Sequence, residues 1–409
     1  MKEFFKVVDL SKVLEYTSEF SCVTTEEAPL LNTVGRVLAA DIVSDHNLPD
    51  FPRATMDGFA VRGSSTFGAS EANPAYLNVV GAVAMGHFPN FTVGPGEACR
   101  ISTGGMLPSG SDSVVMVEHT EPLDDATIEI YRSVAPGQHV IAVGEDVKMG
   151  ETILARGRRL RPQETGLLAA IGKTTVEIYK RPVIGIISSG DEVVPVEGIP
   201  GPAQIRDINS YTLSSQVTQT GGLPVLYGIV RDNYDSLYAK CAQALTECDM
   251  VLISGGSSVG SRDFTIDVLS HLPQSKILVH GVSISPGKPT ILAVAQDTAI
   301  WGMPGHVVSA MIVYEVIVKH FIKHIAGIRG FERFKSRLSA RLSRNLASAQ
   351  GRVDYIRVRL IEKKGQLWAE PILGKSGLIN TMVKADGLIA IDINTEGLDE
   401  GTTVEVIPL

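Results

Sequence analysis

The sequence predicts an α/β protein with added β structure: a doubly wound α/β domain, a small inserted β domain, a mixed N-terminal linker domain and a C-terminal β barrel. Three observations carry this. From Pro182 to Ala326, apolar runs of strand length alternate with helical segments, the rhythm of a sheet wound with helices on both faces. From Ala75 to Arg132, short β signals are separated by Gly and Pro breaks, as in a small β domain. Beyond Arg329 the pattern turns to β again, with Ile356, Val358 and Leu360 alternating against Arg357 and Arg359.

Taken in order, Ser11–Ser18 has helical spacing and Asp41–Ser44 reads as a strand. Pro49 and Pro52 stop regular structure, and Asp57 then stands at a loop end before a strand. The inserted domain contributes strands at Val79–Val83, Ala98–Ile101, Ser113–Val117 and Thr127–Tyr131. Arg161–Lys173 reads as a helix, with Pro162 at its first position and Gly172 at its end. In the α/β stretch, Val183–Ile187, Pro224–Val230, Met250–Ile253, Ile277–Val279, Thr290–Val294 and Ala299–Gly302 read as strands. Asp207–Thr220, Tyr234–Glu247 and Thr265–His271 read as helices, and Gly305–Ala326 as one long helix, apolar nearly all round and therefore buried. The C-terminal strands are Tyr355–Leu360, Gly387–Ile393 and Thr402–Ile407. The expected domains are 1–47 with 139–180 (mixed linker), 48–138 (inserted β), 181–327 (α/β) and 328–409 (barrel).

Composition narrows the function. A chain of 409 residues holds more than one core, and a formal net charge of −8 argues against nucleic acid as the main ligand. No apolar run approaches the roughly 20 residues that span a bilayer. Glu3 and Asp9 interrupt the first ten residues, which do not read as a signal peptide. The expectation is a cytoplasmic protein with no membrane partner. Cys22, Cys99, Cys241 and Cys248 form no Cys-x-x-Cys pair and read as reduced, mostly buried thiols. The basic cluster Arg156–Arg161 reads as a solvated face in preference to an anion site.

In a wound sheet, ligands bind beyond the carboxyl ends of the strands. Those ends carry Glu192, Asp232, the Ser285–Lys288 turn and the loop Ser254–Gly260, followed by Asp263. Taken alone, the Gly-rich loop reads equally as a phosphate cradle, with backbone N–H groups facing the ligand, or as a tight turn with no ligand; the convergence of strand ends favours the cradle. Asp57, Glu192, Asp232 and Asp263 are candidates for a magnesium-dependent reaction at a phosphate, because Mg²⁺ takes carboxylate and phosphate oxygens. The alternative for each is a helix cap or solvated turn, and it is strongest for Asp232. Thr103–Gly105 offers a hydroxyl and free N–H groups. His119, His280 and His306 are isolated and read as structural.

Eight short motifs in order give the chain a family resemblance: ATMDGFAVR from Ala54, Ser102–Gly105 with SVVMVE from Ser113, GEDV from Gly144, SSGDEV from Ser188, DINS from Asp207, Ser254–Asp263, PGKP from Pro286 and MPGHVVSA from Met303. Over nearly its whole length the chain resembles the MoeA family, the molybdopterin molybdenumtransferases, also found as the E domain of gephyrin. The resemblance implies that adenylylated molybdopterin and molybdate (or tungstate) are the substrates. The phosphoanhydride is hydrolysed with Mg²⁺, AMP is released and the metal enters the dithiolene. It implies an elongated homodimer whose site lies between the α/β domain of one subunit and other domains of its partner. It also implies exchange with molybdopterin adenylyltransferase and with recipient molybdo- or tungsto-enzymes. By motif position, Asp57, Thr103, Asp146, Glu192, Asp232 and Asp263 are implied as catalytic, with Glu192 and Asp263 on the metal side. Ser254, Gly255, Gly256, Ser257, Ser258 and Gly260 are implied for the molybdopterin phosphate. Pro286, Gly287, Lys288, Pro304, Gly305, Arg352 and Ser376 complete substrate binding.

The sequence departs from the family pattern at three places. Ile141–Val143 replaces basic residues before GED, Gly281 and Ser285 stand where lysines often precede PGKP, and PGNP becomes Pro304–Val307, PGHV. These losses of positive charge point to a divergent paralogue serving tungstate or working beside a second copy. The alternative is a non-catalytic protein of the same fold that binds or delivers the cofactor.

Overall fold

The strand Met250–Ser254 is buried along its length, and apolar up to Ser254, because both faces of its sheet are covered. Met250 and Leu252 enter one buried cluster with Leu213, Val217, Trp301 and Phe321. Val251 and Ile253 enter a second with Leu237, Cys241, Val268 and Leu269. Helix Asn209–Thr220 and the helical run from Val307 cover the first face; Tyr234–Glu247 and Arg262–His271 cover the second.

The structure is a computed structural model that describes residues 7–255, 262–330 and 337–409, with Arg262 and Asp263 described by backbone only. The chain divides into two compact units: 1–40, 156–161 and 175–409 in one, 41–155 and 162–174 in the other.

The central sheet of the first unit runs Leu223–Val230, Val183–Ser189, Met250–Ser254, Thr298–Met303, Ile291–Ala295, Lys276–His280. The first four strands are parallel; Ile291–Ala295 runs antiparallel to them and pairs antiparallel with Lys276–His280 on its other edge. The antiparallel turn has a local cause. Ala295 pairs with Thr298 across Gln296 and Asp297, which have φ of 50° and 65°. That is a two-residue hairpin, too short for the crossover a parallel pair needs. The expected helix Gly305–Ala326 is α-helical over Val307–Val313, π-helical over Tyr314–Val318 and α-helical again over Lys319–Ile325. The ring of Trp301 meets Phe321 of this run edge-on at 4.9 Å between centroids.

The C-terminal strands close a barrel. Val353–Lys363 pairs with both Gln366–Pro371 and Gly387–Ile391, and Leu338–Leu342 and Thr403–Pro408 complete the ring. Two features fasten it to the α/β core. Tyr355, Met382 and Leu388 join the cluster of Trp301, and Ile284–Ser285 pairs in parallel with Val353–Asp354. One sequence expectation is corrected here. Alternation put Arg357 on the polar face with Arg359, yet Arg357 is 8% exposed. It is covered by the segment 374–381, whose Gly374 carbonyl and Thr381 hydroxyl it contacts.

The basic cluster is scaffold. Arg156 Nε donates to the Tyr179 hydroxyl (2.6 Å) and Arg159 Nε to the Gly35 carbonyl. Three cysteines are buried and Cys22 is half-buried, all as free thiols. Burial pushes the thiols of Cys99 and Cys241 up to about 11 and about 12.

The second unit holds a six-stranded sheet, ordered Ser113–Met116, Gly58–Val61, Glu97–Ile101, Ala75–Ala82, Thr127–Ile130, Thr120–Pro122. Alternate residues feed two clusters, one around Ala60, Cys99 and Val114 and one around Val61, Ala98 and Val115. No helix among the described residues is long and apolar enough to cross a membrane.

Candidate functional site

The PGK turn is set by packing beneath it. Gly287 has φ +120°, and a Cβ there would lie 2.5 Å from Val313 Cγ2. Only glycine lets the turn sit this close to the buried helical run. The Thr290 hydroxyl donates to the Gly287 carbonyl (2.6 Å), and Val282 N–H donates to the Lys288 carbonyl (2.9 Å). The turn therefore holds its backbone while the Lys288 side chain stays exposed.

A cavity of about 290 Å³ opens over this turn, and Lys288, Pro304, His306, Ser309, Arg352 and Ser376 help to line it. Arg352 arrives because the barrel strand Val353–Lys363, which follows it, pairs with Ile284–Ser285. Its Nε lies 3.0 Å from Oδ1 of Asp354, a residue 5% exposed whose Oδ2 accepts from the Ser348 hydroxyl (2.7 Å). Ser376 is held from two sides: Val308 N–H donates to its carbonyl (3.0 Å), and its Oγ lies 2.7 Å from His306 Nδ1. Two cationic side chains, three serines (Ser285, Ser309 and Ser376) and an imidazole line a pocket whose size and charge are of the kind that suits a small oxyanion.

Of the residues singled out from sequence, Pro286, Gly287, Lys288, Pro304, Arg352 and Ser376 line this one cavity. Ser254 and Gly305 are joined beside it by Asn209, whose amide donates to the Ser254 hydroxyl (2.6 Å) and the Gly305 carbonyl (2.8 Å). Gly255 has φ +123°, and a Cβ there would fall 1.9 Å from the Ser189 carbonyl oxygen. Glycine is therefore required at this strand end by close backbone approach alone. Gly256, Ser257, Ser258 and Gly260 lie outside the described residues, as does the side chain of Asp263.

The carboxylates at the strand ends differ from the cavity. Glu192 is exposed and its Oε2 folds back toward Gly190. Asp232 accepts from the Ser189 hydroxyl (2.5 Å). Asp207 is a buried cap, accepting from Ser210 N–H (3.0 Å). Among the described residues no group of three His, Cys, Asp or Glu side chains is arranged around a metal position.

In the second unit, Thr103 N–H donates to Asp57 Oδ1 (2.7 Å), and Gly104 N–H donates to the Ala54 carbonyl (2.8 Å). The Thr103 hydrogen bonds hold the exposed Asp57 carboxyl below its ordinary range. Asp146 is exposed, and its N–H donates to the Leu48 carbonyl (3.1 Å).

Sequence reasoning missed four residues: Asn209, Ser309, the Asp354 partner of Arg352, and His306, which it treated as isolated and structural. The contact that recruits His306 spans 70 residues of sequence. The motifs DINS and MPGHVVSA and the stretch GRVDY at 351–355 contained all four, but not their pairings.

Three family models match in succession: the MoeA N-terminal region (domains I and II) over residues 8–172, a probable molybdopterin binding domain over 185–324, and the MoeA C-terminal region (domain IV) over 339–409. A putative molybdopterin biosynthesis protein of Methanocaldococcus jannaschii is 35% identical over 99% of this chain and 97% of its own length. The molybdopterin molybdenumtransferase of Haemophilus influenzae is 31% identical over 94% of each. Among solved structures, a molybdopterin biosynthesis MoeA protein from Pyrococcus horikoshii superposes with a TM-score of 0.85 at 31% identity, covering 99% of this chain and 100% of that one.

Proposed function

The chain belongs to the MoeA family of molybdopterin molybdenumtransferases, and from that premise we propose that it inserts molybdate or tungstate into adenylylated molybdopterin. Water cleaves the phosphoanhydride, AMP leaves and the metal enters the dithiolene. The observation that carries this reading is the cavity over the PGK turn. Lys288 and Arg352 supply charge, and Ser309 and Ser376 supply hydroxyls, at a size and polarity suited to a tetrahedral oxyanion. Ser254 and Asn209 lie at the neighbouring strand end, where the pterin phosphate is read to bind.

Magnesium belongs to the same reading. The strand ends carry carboxylate oxygens, the donor type Mg²⁺ takes, and Glu192 and Asp263 are the carboxylates assigned to it. When bound it neutralises charge on the phosphoanhydride. Asp232, oriented by the Ser189 hydroxyl, is poised to accept a proton or to fix a water. Asp57, Thr103 and Asp146 are assigned to the same reaction, and the active form is a homodimer.

The test is AMP release from adenylylated molybdopterin with Mg²⁺ and molybdate or tungstate, comparing the natural protein with Lys288→Ala and Glu192→Gln. Oxyanion-dependent release that both variants lose supports the transferase. Tight pterin-nucleotide binding with no release above background leaves cofactor delivery as the function.

A further inference from the structure

One charged side chain next to the cavity is unexplained by packing. Arg357 is 8% exposed and sits on the barrel strand Val353–Lys363, which also carries Asp354 and is entered from Arg352. Its Nη1 donates to the Thr381 hydroxyl (2.7 Å) and its Nη2 to the Gly374 carbonyl (2.8 Å), while its buried Nε has no hydrogen-bond partner among the described residues. No carboxylate among the described residues faces it. A guanidinium removed from water without a counter-charge is costly, and burial holds its proton affinity below the ordinary arginine value. An apolar residue would fill such a place at lower cost unless the charge is used.

The segment that Arg357 grips, 374–381, presents Ser376 to the cavity. The local charge count also leaves it free to act. Arg352 is balanced by Asp354. Lys288 and Arg357 are each without a carboxylate partner among the described residues, so two positive charges stand unbalanced beside a pocket read as taking a dianion.

We propose that Arg357 is a positioning residue of the oxyanion site: it holds the 374–381 segment so that Ser376 faces Lys288 and Arg352, and its uncompensated charge is balanced when a doubly charged oxyanion binds. This rests on the cavity being the oxyanion site.

Titration of the full-length protein with molybdate and with tungstate tests it, using Arg357→Met, Arg357→Lys, Ser376→Ala, the Arg357→Met/Ser376→Ala double variant and Arg352→Ala. Arg357→Met is expected to weaken both oxyanions roughly tenfold to a hundredfold. Arg357→Lys should recover part of that loss. In AMP release the KM for molybdate should rise while the KM for the pterin nucleotide holds. Because Arg357 acts partly through Ser376, the double variant should bind less weakly than the two single losses multiplied. Should Arg357→Met not fold, the partial loss in Arg357→Lys and its non-additivity with Ser376→Ala carry the test. Oxyanion affinity unchanged in both Arg357 variants, with Arg352→Ala weakened, overturns the role of Arg357. Affinity unchanged in Arg352→Ala as well overturns the cavity reading itself.

Discussion

The cationic cavity and the carboxylate-bearing strand ends belong to one compact unit, yet they are built on opposite principles. The cavity stands on buried supports: Gly287 against Val313, Asp354 behind Arg352, Arg357 under the Ser376 segment. Glu192 is exposed and Asp232 half-buried, and the Asp232 carboxylate accepts from the Ser189 hydroxyl. A site for a small, symmetric anion needs fixed donors before the ligand arrives, and burial supplies them. Carboxylates that share a metal with substrate phosphates can take their final geometry from the substrate. Substitutions beneath the cavity should therefore affect affinity and stability together, whereas those at the strand ends should act on turnover.

The largest expected effect is at the cavity rim. Arg352→Ala should lower kcat/KM for molybdate by roughly 10²–10³, the scale of losing a preorganised charged donor. Glu192→Gln is the matching change on the other side. It should depress kcat at saturating Mg²⁺ while leaving oxyanion affinity intact, as read by AMP release and by oxyanion titration. If Glu192→Gln weakens molybdate as much as Arg352→Ala does, the two regions are one network and the contrast fails.

Gly255→Ala comes next. A Cβ 1.9 Å from the Ser189 carbonyl forces two parallel strands apart. The expected cost is about 2–4 kcal/mol of stability, read as a lower urea midpoint at unchanged slope. A glycine needed only for ligand approach would lose activity at full stability.

Asp354→Asn is smaller. It keeps the shape but removes the charge that orients Arg352, and the KM for molybdate should rise by roughly tenfold. An unchanged KM would mean that Arg352 finds its position without its buried partner.

Much of this was legible in the sequence. Strand and helix rhythm located the α/β domain because two-sided burial writes continuous apolar runs such as Met250–Ile253. The Ser285–Lys288 turn was read from its place at a strand end, whereas Arg352 in GRVDY (351–355) and Ser376 in GKSGL (374–378) came from the family resemblance alone. Pairings between distant segments were not legible. Alternation cannot tell that the outer face at Arg357 is roofed by 374–381, and nothing local shows that His306 meets Ser376. The antiparallel edge was written in Gln296–Asp297, but a two-residue link between apolar runs is easily absorbed into a strand–helix rhythm that surrounds it.

The smallest effect lies in the second unit, where Asp57 extends the contrast to an exposed carboxylate held by Thr103, chiefly through its backbone N–H. Its carboxyl is lowered by the Thr103 N–H and then by the Thr103 hydroxyl. A carboxyl whose folded value lies below its unfolded one stabilises the fold above the unfolded value, and loses that contribution as pH falls through the folded value. The stability of the natural protein should therefore decline more steeply than that of Asp57→Asn as acid is added below the ordinary carboxylate range. Near neutral pH the Asp57→Asn protein should unfold at nearly the same urea concentration, because the group is exposed and solvent screens it. Thr103→Pro, which removes the donor, should raise the Asp57 carboxyl toward its ordinary value in an NMR titration. If Asp57 titrates low without that N–H, its geometry comes from a source other than the Thr103 loop, and the likeness to the lightly held Asp232 is lost.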